Sequence, residues 1–317
     1  MTQSTSGDPE LDELLRELER VLAARDWDGV VALRDRARAA FERGRQHWPA
    51  AAHAEYRLAL EGPGAHSGTA VVEGAGQFAL GPLAEVAAST HTWDELRNHV
   101  LPGPLRAVVA HERVARGEDL TADDSIDAGV LPIPLTLLAF EPRPYPVATY
   151  RPDKADFPGP DLPTCQPVAL PEPVATIDFD GEALLDIART WTTQSNGRAR
   201  AAAVEGHALG AIAALGVTHV RVAEVEARTA LALLAWAAAS GGAEGRRRGM
   251  AWGRYAAWAA VASTADVEVE DLSSVIDELR FYVWDTSEPA TGWQCRIAIE
   301  DPADGVAFAL DAVDAAS

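Results

Sequence analysis

The chain has 317 residues, 48% of them hydrophobic and 24% charged, with a formal net charge of −21. It is about twice the usual domain length and apolar enough to fold, which excludes a disordered polypeptide. The acidity argues against a protein built to bind nucleic acid or an anionic membrane, because both need an electropositive footprint. Alanine fills 62 positions, and Lys154 is the only lysine among 27 basic residues. The helix propensity of alanine shifts the expectation toward helix. Cys165 and Cys295 are the only cysteines, too few for a disulfide framework or a four-thiolate zinc site. Residues 1–11 lack the basic start and apolar core of a secretory signal, and the longest uncharged apolar run, 229–243, is shorter than a membrane span. A cytoplasmic protein with reduced thiols is expected.

Leu11, Leu14, Leu15, Leu18, Val21 and Leu22 repeat at helical spacing, and Asp26 or Asp28 can start a second helix through Phe41. Pro49 fits the first turn of a third helix, which runs to Leu60. Helices are also expected over Pro82–Ser89, Trp93–Val100 and Pro104–Arg116, with Thr92 and Glu95 forming a capping box. Their lengths do not recur at a fixed period, so a repeat solenoid is not supported.

Twelve of the 20 prolines fall between 131 and 173. No helix survives that density, because each proline removes an amide donor and constrains the residue before it. Leu137, Leu138, Phe140, Tyr145, Tyr150 and Phe157 lie in the same stretch, more apolar bulk than a free linker needs. An ordered, extended strap is expected, with a flexible domain linker as the alternative. Beyond it, Asp180 can cap a helix through Trp191, and further helices are expected near 196–214, 222–240 and 243–263, then a short one from Asp271 to Glu278. The period then changes to two in Phe281–Trp284, Trp293–Ile299 and Val306–Leu310, separated by Pro289, Gly292 and residues 301–305. The resulting expectation is an α+β, predominantly α-helical chain: two helical regions joined by a proline-rich strap, with a C-terminal three-stranded antiparallel meander. The boundaries are residues 1–120, 121–173 and 174–317.

The acidity is uneven: residues 181–260 sum to +3 and residues 261–317 to −11. The arginines of the basic block can balance the acidic segment inside one fold. They can also form an anion site, since guanidinium groups bind such ligands bidentately, or a protein interface. The segment 245–258 concentrates the question, with Gly245, Gly249 and Gly253 four apart among Arg246, Arg247, Arg248, Trp252, Arg254, Tyr255 and Trp258. Glycines on one helix face admit either a close-packed neighbouring backbone or a ligand. The arginine and aromatic side chains of 246–258, with His207, are the candidate ligand-binding set. No catalytic residue is assigned. The eight histidines lack metal-ligand spacing, and G-x-S-x-G and phosphate-loop patterns are absent. No metal and no cofactor are expected.

Three passages resemble an uncharacterised family of actinobacterial proteins: residues 81–93, 245–254 and 292–302. The resemblance implies no activity and transfers no catalytic residue. The expected function is a binding module for a protein partner or a small anionic ligand, without nucleic acid or membrane. The alternative is an enzyme with His207 and Glu205 as acid–base groups and Arg247 and Arg254 holding an anion.

Overall fold

The computed structural model describes residues 9–286 and 292–315, so the readings on residues 1–8 and on Pro289 lie outside the described residues. The chain divides into two compact units, one formed by Met1–Val109 with Thr149–Asp156, the other by Ala110–Ala148 with Phe157–Ser317.

The first unit begins with α1 (Pro9–Ala23), α2 (Trp27–Glu42) and α3 (Trp48–Glu61). The Asp26 carboxylate accepts the Gly29 amide at 3.0 Å and caps α2, and Pro49 occupies the first turn of α3. Leu18 of α1, Leu33 and Ala37 of α2, and Ala50, Ala54 and Leu58 of α3 are buried. The small side chains let α2 and α3 approach closely. Then follow α4 (Gly64–Ala70), α5 (Leu83–Thr90), α6 (Trp93–Leu96) and α7 (Pro104–Ala115), whose residues from Ala110 onward belong to the second unit. Glu95 accepts the Thr92 amide at 2.8 Å, closing the expected capping box, although α6 lasts one turn and does not reach Val100. A strap hairpin, β1 (Thr149–Tyr150) with β2 (Ala155–Asp156), completes this unit. It is tied down by hydrogen bonds from the Tyr150 hydroxyl to Glu85 at 2.7 Å and from the Tyr56 hydroxyl to the Arg151 carbonyl at 2.5 Å.

The second unit holds β3 (Gln166–Val168), α8 (Glu182–Asp186), α9 (Arg189–Gln194), β4 (Arg198–Glu205), α10 (Ala208–Ala214), β5 (Val220–Val225), α11 (Ala227–Ala239), α12 (Met250–Thr264), β6 (Arg280–Thr286), β7 (Trp293–Asp301) and β8 (Val306–Asp314). The strands form one antiparallel sheet in the order β3-β5-β6-β7-β8-β4. This corrects the expected fold class: the C-terminal sheet has six strands, not a three-stranded meander. The expected meander is its β6-β7-β8 portion, with β5 and β3 added on one side and β4 on the other.

Two of the added strands replace expected helices. The Arg198–Glu205 stretch, which holds four alanines, pairs with β8 along its whole length, from Arg198↔Val313 to Glu205↔Val306. Eight residues of ladder and a buried face outweigh alanine's modest helix preference. Val220, Val222 and Arg221 alternate in β5 with the period of a strand, so the expected helix from 222 is also corrected; α11 begins only at Ala227. The expected helix from Asp180 breaks into α8 and α9, and the segment 269–278 is 3-10 rather than α.

One sheet face carries Ala202, Val204, Ala298, Ala307 and Ala309 against Ala208, Ala211 and Ile212 of α10. The other face meets α11, where Trp236 stacks on Trp293 with ring centroids 4.8 Å apart. Helix α12 packs against α11 with little room between the backbones: a Cβ on Gly253 would sit 2.3 Å from the Ala235 carbonyl oxygen. That contact is the reason for glycine here. Gly245 and Gly249 precede the helix, and Gly249 takes φ +95° at its N-cap, so the three glycines do not share a helix face. Among the described residues, no helix is long and apolar enough to cross a membrane.

Candidate functional site

A chain rich in prolines has carbonyl acceptors without the matching amide donors. Strap residues 131–148 meet this deficit with a guanidinium. Arg254 is 0% exposed; its Nη1 donates to the Pro134 carbonyl at 2.8 Å and its Nη2 to the Thr136 carbonyl at 3.0 Å. The same side chain grips Glu141, with Nε to Oε1 at 2.7 Å and Nη2 to Oε2 at 2.9 Å. Glu141 also accepts from Trp258 Nε1 at 3.0 Å, the Tyr145 hydroxyl at 2.8 Å and the Leu138 amide at 2.9 Å. Arg254 and Trp258 lie one turn apart on α12, which places both donors on the face turned to the strap.

Electrostatics within this knot is settled by mutual satisfaction. Burial pushes the Glu141 carboxyl up, but the Arg254 hydrogen bonds and charge, with the Leu138 amide and the Tyr145 hydroxyl, hold it below the usual range. Burial and the adjacent Glu141 charge drive the Tyr145 hydroxyl well above its ordinary value. His111 is fully buried; burial first, then the Arg254 charge, depresses its pKa to about 3, against a lift from the Leu131 backbone. Its neighbour Glu112 accepts the Ala251 amide at 2.9 Å in the first turn of α12 and pairs with Arg116 at 2.7 Å.

The expected binding residues therefore separate. Arg254 and Trp258 are inside the core. Arg248 donates to the Asp186 carboxylate at 3.1 Å. Arg246 is exposed, with its amide on Gln194 at 3.1 Å, and Arg247 lies over the Phe157 ring at 4.8 Å. Trp252 and Tyr255 are half-buried and meet edge to face at 6.3 Å. His207 is 86% exposed and lies 3.3 Å from Glu300, at the start of α10. That helix covers the sheet face opposite α11, so His207 and Glu205 do not join the arginines of 246–254. Elsewhere the basic block is balanced internally: Arg200 pairs with Asp311 at 2.6 Å and Arg221 with Asp285 at 2.7 Å. Cys295 is a buried free thiol pushed up to about 12 by burial, and Cys165 is also free. Among the described residues, no three His, Cys, Asp or Glu side chains converge as a metal site.

Sequence reasoning missed a groove of about 730 Å³, lined by Ala139, residues 141–144, Pro146 and residues 158–161 of the strap and by Arg228, Thr229 and Ala232 of α11. Its size lies in the range of ligand sites. Glu141 borders it with its charge already neutralised by Arg254. The remaining charged lining groups are Arg143, Arg228 and Asp161. Arg143 donates to the Leu137 carbonyl at 2.8 Å, and Arg228 pairs with Glu226 at 2.7 Å on open surface. Arg228 also lines a smaller adjoining hollow of about 310 Å³ with Glu226 and Asp277. The only signal for this groove was the unexpected bulk of the strap, because its walls come together from segments distant in sequence.

Helices packed on a six-stranded antiparallel sheet, with a proline strap pinned by a buried ion pair, define the larger unit. Over residues 12–303 the chain belongs to a family of unknown function (DUF6183). No curated protein and no solved structure matches it.

Proposed function

We propose that this chain acts by binding, and that the strap groove holds a small anionic ligand between Arg143 and Arg228. One observation carries this reading: two guanidinium groups line a single groove whose nearest buried carboxylate is already saturated. The surface pair between Arg228 and Glu226 is worth at most about 1 kcal/mol. A ligand accepting two parallel hydrogen bonds can displace it. The arrangement also fits the overall charge, since a chain of −21 can hold an anion only where arginines are gathered locally. Arg247 lies over Phe157, the residue before groove-lining Pro158, and adds the same sign of charge there. His207 and Glu205 have no part in this site.

Isothermal titration with inorganic pyrophosphate at low ionic strength tests the proposal. Saturable binding is expected, weakened about tenfold or more by Arg143→Glu and by Arg228→Glu, which corresponds to about 1.4 kcal/mol. Reversal of the exposed Arg198, which does not line the groove, should leave affinity unchanged. No saturable binding, or equal binding by all four proteins, refutes an anion site in the groove.

A further inference from the structure

The first unit contains a cavity of different chemistry. Helices α2 and α3 and the loop around Gly74–Phe78 enclose a slot of about 350 Å³. Phe41, Trp48 and Phe78 supply aromatic walls, and Ala51 and Ala52 of α3 line the slot with small side chains. Phe41 is 51% exposed and Phe78 is 54% exposed, an unusual cost for large apolar side chains on neighbouring elements. Trp48 and Phe78 already touch, with ring centroids 4.0 Å apart and planes tilted by 41°.

The polar groups of the slot are of two kinds. Glu55 is buried but saturated: Arg38 donates to Oε1 at 2.5 Å and the Gly76 amide to Oε2 at 2.7 Å. Its charge is spent within the fold, and so is that of Arg38. Gln46 and Gln77, by contrast, line the slot as exposed primary amides, each offering a donor and an acceptor. Arg38 and Glu55 are the charged groups of the lining and neutralise each other, so no strong field selects a charged ligand.

We infer that this slot is a second binding site, for an uncharged planar heteroaromatic ring of purine size with hydrogen-bonding groups on its edge. Aromatic walls stack on such a ring whatever its substituents. A glutamine amide can pair with an adjacent donor and acceptor on the edge, the geometry by which glutamine reads adenine. The inference is independent of the strap groove, since it uses other residues and a neutral ligand.

The test is ligand-observed NMR and calorimetric titration with two uncharged probes, adenosine and inosine. At least one should bind saturably, with Kd below about 1 mM. Ala52→Trp, which fills the slot from a half-buried position, should weaken it about tenfold, and Gln77→Ala should weaken it severalfold. Phe78→Ser removes a wall without filling space and should also reduce binding. Circular dichroism and unchanged Tm must accompany each variant; if Ala52→Trp misfolds, Phe78→Ser decides. The inference is overturned if neither probe saturates, or if binding survives both Ala52→Trp and Phe78→Ser. Concentration-dependent dimerisation abolished by Phe78→Ser would also overturn it, because the slot would then receive a side chain of a second copy.

Discussion

Glu141 and Arg143 stand two residues apart on one strap and differ completely in what surrounds them. Glu141 is buried, accepts from Arg254, Trp258, Tyr145 and the Leu138 amide, and anchors the strap to α12. Arg143 is exposed, makes one hydrogen bond to the Leu137 carbonyl and lines the groove. The same contrast separates Arg254 from Arg228: one guanidinium has its donors committed to fixed acceptors, the other has a single solvent-exposed partner. Charge type therefore does not separate these residues; the fraction of their hydrogen bonds already made inside the fold does.

The buried side of this contrast should respond most. Glu141→Ala leaves the Arg254 charge and the Trp258 and Tyr145 donors without their acceptor, and should cost about 3–5 kcal/mol in urea unfolding. A loss under about 1 kcal/mol would show that the knot does not hold the strap. Acid should act next. His111 has a folded pKa of about 3 against an ordinary value of 6.5, so below pH 6.5 the unfolded chain binds a proton that the folded chain does not. Stability should fall by up to about 1.4 kcal/mol per pH unit from there toward pH 3. The depressed carboxyls of Glu141 and Asp311 add to the loss as pH falls through their own folded values. His111→Leu should flatten the slope between pH 6 and 4; an unchanged slope would place the titrating group elsewhere. Gly253→Ala should cost about 1–3 kcal/mol by forcing α11 and α12 apart, measured by thermal unfolding. The smallest stability change is expected on the groove side, where Arg228→Glu should shift unfolding by no more than about 0.5 kcal/mol.

Much of the first unit was legible because each helix carries its own signal: the leucine spacing of α1, the Asp26 cap, Pro49 in α3, Thr92 with Glu95. Strand β4 was not, because alanine writes no period and its partner β8 lies about a hundred residues away. The alternation Val220-Arg221-Val222 was present, but it runs directly into the alanine-rich α11 and was absorbed into that helix. The placement of residues 245–258 was hidden for a related reason. Placing residues 245–258 on one exposed face presumed a helix beginning near 243, whereas α12 begins at Met250 and turns Arg254 and Trp258 inward. What turns them inward is Glu141, 113 residues earlier, and nothing local to a glutamate among prolines announces that partner.

The decisive measurement is a paired one on the double variant Arg143→Glu/Arg228→Glu: pyrophosphate titration together with urea unfolding. Binding should disappear while stability stays within about 1 kcal/mol of the parent. Retained binding, or binding lost only together with the fold, would contradict a groove whose arginines are held in reserve for a ligand.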